Sequence, residues 1–348
     1  MNSWTQKGIR LVGAFVAACL LLALAPQNDA AAQSAAPATV RYGLQRGALG
    51  ALKLTLPMIE AKYNLKYDYK IFNDATAVIL AMDQRELEMG NITAQHMIRA
   101  IDEGMQLVTV AGWGGGYNVL VAGPDVKVPA NDLKALKVLI DERNRSGKRL
   151  KIGVPTGSQQ HLKLAYLLRG MGVNPDKDVD ILNIPFPNHP RALDAREVDM
   201  SMTLAPFAAI AINAGSGRMV NHVYGGNNGS WEIGYAVRRD LIEKNPDLVQ
   251  RIVSSHVEAL KSFMNDIPKQ VELEQKESSF PRPVIESVQR DYLKLSYHIA
   301  LDDLRRTARQ MHELGWAKKD YSADVEKYVD FRFLEKATGE SRAALSKF

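Results

Sequence analysis

Hydrophobic positions recur along this chain with two periods, about two residues and about 3.6 residues, and stretches of the two kinds alternate. Residues 39–44 read as a buried strand and 48–62 as an amphipathic helix in which Pro57 sets a kink or a start. Residues 66–72 alternate like a strand. Asp74 then stands ahead of a helical pattern through residue 84, and Thr93 ahead of another through residue 103. Both are residue types that cap helix N-termini. A short strand, 87–92, lies between these helices, and strands at 107–111 and 119–122 complete the set. This βαβα order predicts a mostly parallel sheet with helices on both faces.

A second set then begins. Residues 130–144 form a charged amphipathic helix and 150–154 a strand, followed by Thr156-Gly157-Ser158 and a helix over 160–170. Strand 179–184, helix 191–196, strand 199–203 and helix 206–214 follow, then a strand at 232–237. Everything from residue 239 on reads as helical. A tail without strands must cover an existing sheet, and the first sheet is the expected one. The pattern therefore predicts an α/β protein of two lobes: residues 39–122 with 224–348, and an inserted lobe, 123–223. The chain would cross between them twice, near 122–125 and near 221–224.

Ahead of residue 39 the pattern differs. Lys7 and Arg10 precede an apolar run, 11–25, then Pro26 and Ala30-Ala31-Ala32. That order is the one of a cleavable secretory signal over residues 1–32, cut after Ala32 and followed by a linker, 33–38. The run falls short of the roughly 18 apolar residues usual for a permanent anchor. The only cysteine, Cys19, lies in Val16-Ala17-Ala18-Cys19, which resembles a lipoprotein box. The apolar run continues past it through Leu20, Leu21, Leu22 and Leu24, so lipid anchoring is not expected. The expected location is the periplasm. Once the leader is removed, disulfides, thiolate metal sites and cysteine nucleophiles drop out together. Roughly 310 residues would remain, enough for two lobes with their own cores. The net charge of +5 is spread without a run of Lys and Arg interleaved with aromatics, so no nucleic-acid partner is expected.

In open parallel sheets ligands gather at the carboxyl ends of the strands. Here those positions are small and polar: Gln45-Arg46-Gly47, Asn73-Asp74-Ala75-Thr76, Thr93-Ala94-Gln95-His96 and Trp113-Gly114-Gly115-Gly116 in the first set. In the second they are Thr156 to His161, Asn188-His189 and Thr203. The candidate ligand contacts are Gln45, Arg46, Asn73, Asp74, Thr93, Ala94, Trp113, Gly157, Ser158, His161, Asn188 and Thr203. Thr-Gly-Ser opening a helix offers free N–H groups to an anion. Each of these residues also has a plainer reading. Ser, Thr and Asp before a helix are ordinary caps. The glycine run is a turn or a place where backbone meets a ligand, and Trp231 is either core or ligand wall. Arg46 and Arg191 are the only cations near predicted strand ends. Dinucleotide, phosphate-loop, zinc-protease and nucleophile-elbow motifs are all missing, and no histidine pair has metal spacing. No catalytic residue, metal or cofactor is predicted.

Several segments then share an order. Arg41-Tyr42-Gly43, Ala81-Met82, Leu87-Glu88-Met89-Gly90, Gln106 to Val110, Lys151-Ile152-Gly153-Val154 with Gly157-Ser158 and His161, Glu197-Val198-Asp199, Ala205-Pro206 and Asn245 to Val249 follow one another over residues 39 to 265. In this order they resemble the substrate-binding proteins of the nitrate, sulfonate and taurine ABC importers, relatives of the thiamine-pyrimidine synthases. The resemblance implies a two-lobe periplasmic-binding-protein fold of the second topological type. It implies a small solute in the cleft, contacted by Gln45, Asn73, Thr93, Gly157, Ser158 and Thr203; an anion of the sulfonate, nitrate or taurine kind and a neutral heterocycle both stay open. The partners it implies are an ABC permease and its ATPase, served by a monomeric receptor. The family's tryptophan-acid pair is replaced by Leu204-Ala205, and a charged stretch, 139–149, is extra. Two alternatives stay open: a receptor for a TRAP-type or sensor-linked system, and an enzyme of the pyrimidine-synthase branch.

Overall fold

The computed structural model describes residues 36–45, 59–72 and 74–348. The expected leader, Cys19, most of the expected helix at 48–62, and two candidate contacts, Arg46 and Asn73, lie outside these residues. Strands β1 (Ala38–Gln45) and β2 (Leu65–Phe72) are followed by α1 (Ala75–Asp83), β3 (Met89–Thr93), α2 (Ala94–Asp102) and β4 (Leu107–Gly115). Next come β5 (Asn118–Ala122), α3 (Leu133–Arg145), β6 (Leu150–Val154), α4 (Gln159–Gly170), β7 (Val179–Asn183) and α5 (His189–Asp194). Then follow β8 (Met200–Leu204), α6 (Ala205–Asn213), β9 (Arg218–His222) and β10 (Ile233–Arg238). The remainder holds α7 (Arg239–Lys244), α8 (Pro246–Lys261), α9 (Ile267–Glu277), α10 (Arg282–Ser287), β11 (Lys294–Leu295), α11 (Leu301–Glu313), α12 (Arg332–Thr338) and α13 (Arg342–Leu345).

Two sheets organise these elements. The first has the order β11-β4-β10-β3-β1-β2 and the second β7-β6-β8-β5-β9. β1 runs parallel to β2 and β3, and β10 lies antiparallel between β3 and β4. In the second sheet β6 is parallel to β7 and β8, and β5 lies antiparallel between β8 and β9. The first sheet thus takes in two antiparallel strands, β10 and β11, and the second takes in one, β5; each is laid down as the chain arrives from the other lobe.

That arrangement moves one expected boundary. Residues 118–122, expected on the first sheet, pair with β8 and β9 in the second. The chain passes between sheets at Gly116-Tyr117, a connection of two residues, and returns between His222 and Ile233. All five residues of β5 are buried. A strand covered on both faces is a continuous apolar run, equally at home in either sheet. The edge strand β2 alternates buried and exposed residues along its first half, which is why its pattern was legible.

The tail also departs from expectation. α8 covers the first sheet through Leu248, Val249, Ile252, Val253, Val257 and Leu260. Val284 on α10, with Val288 and Tyr292 in the π-helical turn after it, packs against Ala205, Ala208 and Ala209 of α6 in the second lobe. The chain then returns as β11, which pairs with β4. The glycine run makes this return possible. A Cβ on Gly116, at φ +95°, would lie 2.1 Å from the Tyr292 carbonyl oxygen, and one on Gly115 1.8 Å from that of Ser230. The run serves close approach of the chain to itself.

Candidate functional site

A cavity of about 590 Å3 lies between the two lobes, at the carboxyl ends of β1 and β3 on one side and of β6, β7 and β8 on the other. From the first lobe Gln45, Asp74, Thr76, Thr93, His96 and Arg99 reach it. From the second come Pro155, Thr156, Gly157, Ser158, Gln159, Gln160, Asn183, Phe186, Leu204 and Phe207. Tyr117 and Glu232, one on each crossing, also line it.

Three helix starts face this space, each held by its own cap. Asp74 accepts from the Ala77 N–H at 2.9 Å. Thr93 Oγ1 accepts from the His96 N–H at 3.5 Å and lies 2.7 Å from His96 Nδ1. Burial pushes the His96 imidazole down to about 4, helped by the nearby Arg99 charge, so the ring is neutral at neutral pH. Ser158 Oγ accepts from the His161 N–H at 3.2 Å, and the Gly157 N–H donates to His161 Nδ1 at 3.1 Å. This leaves the N–H groups of Gln159 and Gln160, the first two of α4, without an intrahelical acceptor. Across the cleft, Gln95 Nε2 donates to the Gly157 carbonyl oxygen at 2.7 Å.

Behind the cavity both crossings meet one buried carboxylate. Glu232 Oε1 accepts from Lys163 Nζ at 2.9 Å and from the Asn118 amide. Its Oε2 accepts from the Tyr117 N–H at 3.0 Å. The Glu232 carbonyl accepts from the Ala94 N–H at 3.1 Å, and Gln160 Nε2 donates to Asn118 Oδ1 at 2.6 Å. Asp303 on α11 holds the Ser230 and Trp231 N–H groups at 2.7 and 2.8 Å. Among the described residues no group of three or more His, Cys, Asp or Glu side chains is placed to hold a metal ion, and no helix is long and apolar enough to cross a membrane.

A family model described as the NMT1-like family matches residues 58–270, more than half of the chain. The chain belongs to the NMT1-like family. A protein of Brachyspira hyodysenteriae named as an ABC transporter periplasmic binding protein is 27% identical to this NMT1-like chain over 210 residues. That match spans 58% of this chain and 59% of the relative. Among solved structures, the periplasmic nitrate-binding protein NrtA of Synechocystis superposes with a TM-score of 0.73 at 15% identity, covering 88% of this chain and 90% of that one. The periplasmic aliphatic sulphonate binding protein SsuA of Escherichia coli gives 0.65 at 21% identity, with 82% and 90% covered. The desulfurization enzyme DSZB gives 0.63 at 15% identity, with 87% and 99% covered. The fold of this NMT1-like chain is the two-lobe fold of periplasmic binding proteins.

In this NMT1-like fold Gln45, Asp74, Thr93, Gly157 and Ser158 come together at the cavity. Five other candidates do not. Trp113 is fully buried in the first core and donates to the Tyr117 hydroxyl at 2.8 Å. Ala94 is buried and spends its N–H on Glu232. Thr203 is buried within β8, and the next residue, Leu204, reaches the cavity in its place. Asn188 ends a 3-10 turn whose Phe186 and Pro187 face the cavity while Asn188 itself faces solvent. His161 turns its ring onto Trp316, centroids 4.7 Å apart. Trp231 is core. Arg191 is exposed, 4.0 Å from Glu197. Among the described residues the cation that reaches the cavity is Arg99, a turn and a half into α2, its Nε donating to Glu103 at 2.7 Å.

Proposed function

We propose that this protein is an extracytoplasmic solute-binding receptor that captures a small acidic solute between its lobes and delivers it to an ABC importer. The observation that carries the reading is the cavity between the ligand ends of both sheets, with three helix starts around it and a direct hydrogen bond, Gln95 to Gly157, across it. N–H groups at helix starts favour negative charge without needing a lysine. The names of the Brachyspira relative and of the NrtA and SsuA neighbours support the same reading. On this reading the partners are a permease and its ATPase, the receptor acts as a monomer in the periplasm, and the solute leaves chemically unchanged.

The two lobes are residues 37–116 with most of 224–348, and residues 117–223 joined by the returning segment around α10. Their closure on the solute follows from the site itself, because polar groups from both lobes are needed to satisfy one ligand. A thermal-shift screen of sulfonates, carboxylates, nitrate and pyrimidines tests the reading, since a ligand bound only by the folded state raises its stability. A saturable rise with one of these solutes is the expected result. A flat response to all of them contradicts it.

A further inference from the structure

The two walls of the cavity differ in chemistry. The first-lobe wall is hydrogen-bonding, with Thr76, Thr93, His96 and Arg99. The second-lobe wall beyond the start of α4 carries Asn183 and is otherwise apolar, with the rings of Phe186 and Phe207 among Pro155, Pro185, Pro187 and Leu204. These two rings lie parallel within 8°, with centroids 6.4 Å apart. Each is braced by the edge of a further ring. His189 meets Phe186 at 5.7 Å and 76°, and is itself held by a hydrogen bond of 2.9 Å between Nε2 and the Ile184 carbonyl. Phe280, from the segment that crosses to the second lobe ahead of α10, meets Phe207 at 5.5 Å and 82°.

Pairs braced edge-to-face have fixed ring orientations, and aromatic rings prefer such offset and T-shaped contacts. An alkyl chain gains only area from a wall of this kind, whereas a ring also gains the directional term. A space of about 590 Å3 falls within the range of sites for organic molecules of drug-like size. From these observations we infer that the solute carries an aromatic ring held by Phe186 and Phe207, with its acidic head towards the helix starts. The inference rests on the receptor reading above and names the solute class within it.

Calorimetric titration of the purified protein tests it with matched probes: benzenesulfonate against hexanesulfonate, benzoate against hexanoate, and nitrate. The expected result is about ten-fold tighter binding of the aromatic member of a pair. Phe186→Leu and Phe207→Leu, which keep apolar bulk, should abolish that preference, with benzenesulfonate losing more affinity than hexanesulfonate. The ring protons of bound benzenesulfonate should also shift upfield in the wild type and less so in either variant. If Phe207→Leu fails to fold, Phe186→Leu decides alone, because its ring is only partly buried. Equal affinities within both pairs, or a preference that survives both substitutions, overturns the ring inference and leaves the receptor reading standing. Binding of none of the five probes also overturns the ring inference, and the receptor reading is then decided by the wider thermal-shift screen.

Discussion

Lys163 Nζ lies 2.9 Å from Glu232 Oε1 with both side chains almost fully buried, and the pair joins α4, whose first turn faces the cavity, to the second crossing between the lobes. Gln160, one turn earlier on the same face, reaches Asn118 at the first crossing. The helix start that faces the cavity and the groups that hold both crossings are therefore parts of one rigid element.

Removing one member of a buried ion pair leaves an uncompensated charge, at a cost of about 3–5 kcal/mol. Glu232→Leu and Lys163→Met should each destabilise the protein by about that much in urea unfolding, and the double variant should recover a large part of the loss. Additive losses in the double variant would show that the two side chains act independently.

The glycines of the β4 end and of the α4 start should respond differently. In Gly115→Ala and Gly116→Ala the new Cβ meets the backbone oxygens of Ser230 and Tyr292, which cannot swing aside. A loss of about 3 kcal/mol or more is expected, at or beyond the top of the usual overpacking range. Gly157, at φ +78°, has no atom within 4 Å of a built Cβ. Gly157→Ala should cost only the about 1–2 kcal/mol of a left-handed backbone and should weaken solute binding, because the methyl group enters the cavity. Melting temperatures and titrations on the three variants check this.

Burial pushes His96, His189 and His256 each down to about 4. The unfolded chain, with ordinary histidines near 6.5, takes up protons first as the pH falls. The stability these neutral rings contribute is complete above about pH 6.5 and is lost progressively towards pH 4. His256→Gln keeps a donor for the Gly112 carbonyl oxygen, which His256 Nε2 now approaches to 2.7 Å. It should flatten the dependence of unfolding free energy on pH between 6.5 and 4 by up to about 1.4 kcal/mol per pH unit. An unchanged slope would mean that His256 does not titrate on unfolding.

Gln95 spans the cleft to Gly157. Gln95→Ala should cost the folded protein only about 0.5–1.5 kcal/mol but shift the solute-free protein towards more open shapes. Small-angle scattering should report a larger radius of gyration for the variant than for the wild type without solute. Identical scattering would assign no closing role to this contact.

The alternation of strands and helices was legible because each amphipathic element carries its own period. The caps Asp74, Thr93 and Ser158 were legible because a short polar side chain ahead of an apolar helix has few other uses. The place of residues 118–122 was not, because a strand buried on both faces carries no mark of its sheet. Phe186 and Phe207 carry no mark of a site in the sequence, since nothing local separates an aromatic that faces a cavity from one that faces another helix. Arg99 sits inside a helix and away from any strand end, and Lys163 and Glu232 meet only in space. Trp113 and its glycines looked like a ligand loop because glycine signals close approach without saying what approaches.

On the receptor reading, one solute is held between the lobes and released unchanged. Equilibrium dialysis of the purified protein against the best solute from the screen, with the recovered solute weighed by mass spectrometry, tests it directly. Saturation at one solute per chain, with an unaltered mass and clear weakening in Gly157→Ala, is the predicted result. A chemically altered solute, or binding that does not saturate and is indifferent to Gly157→Ala, would contradict it.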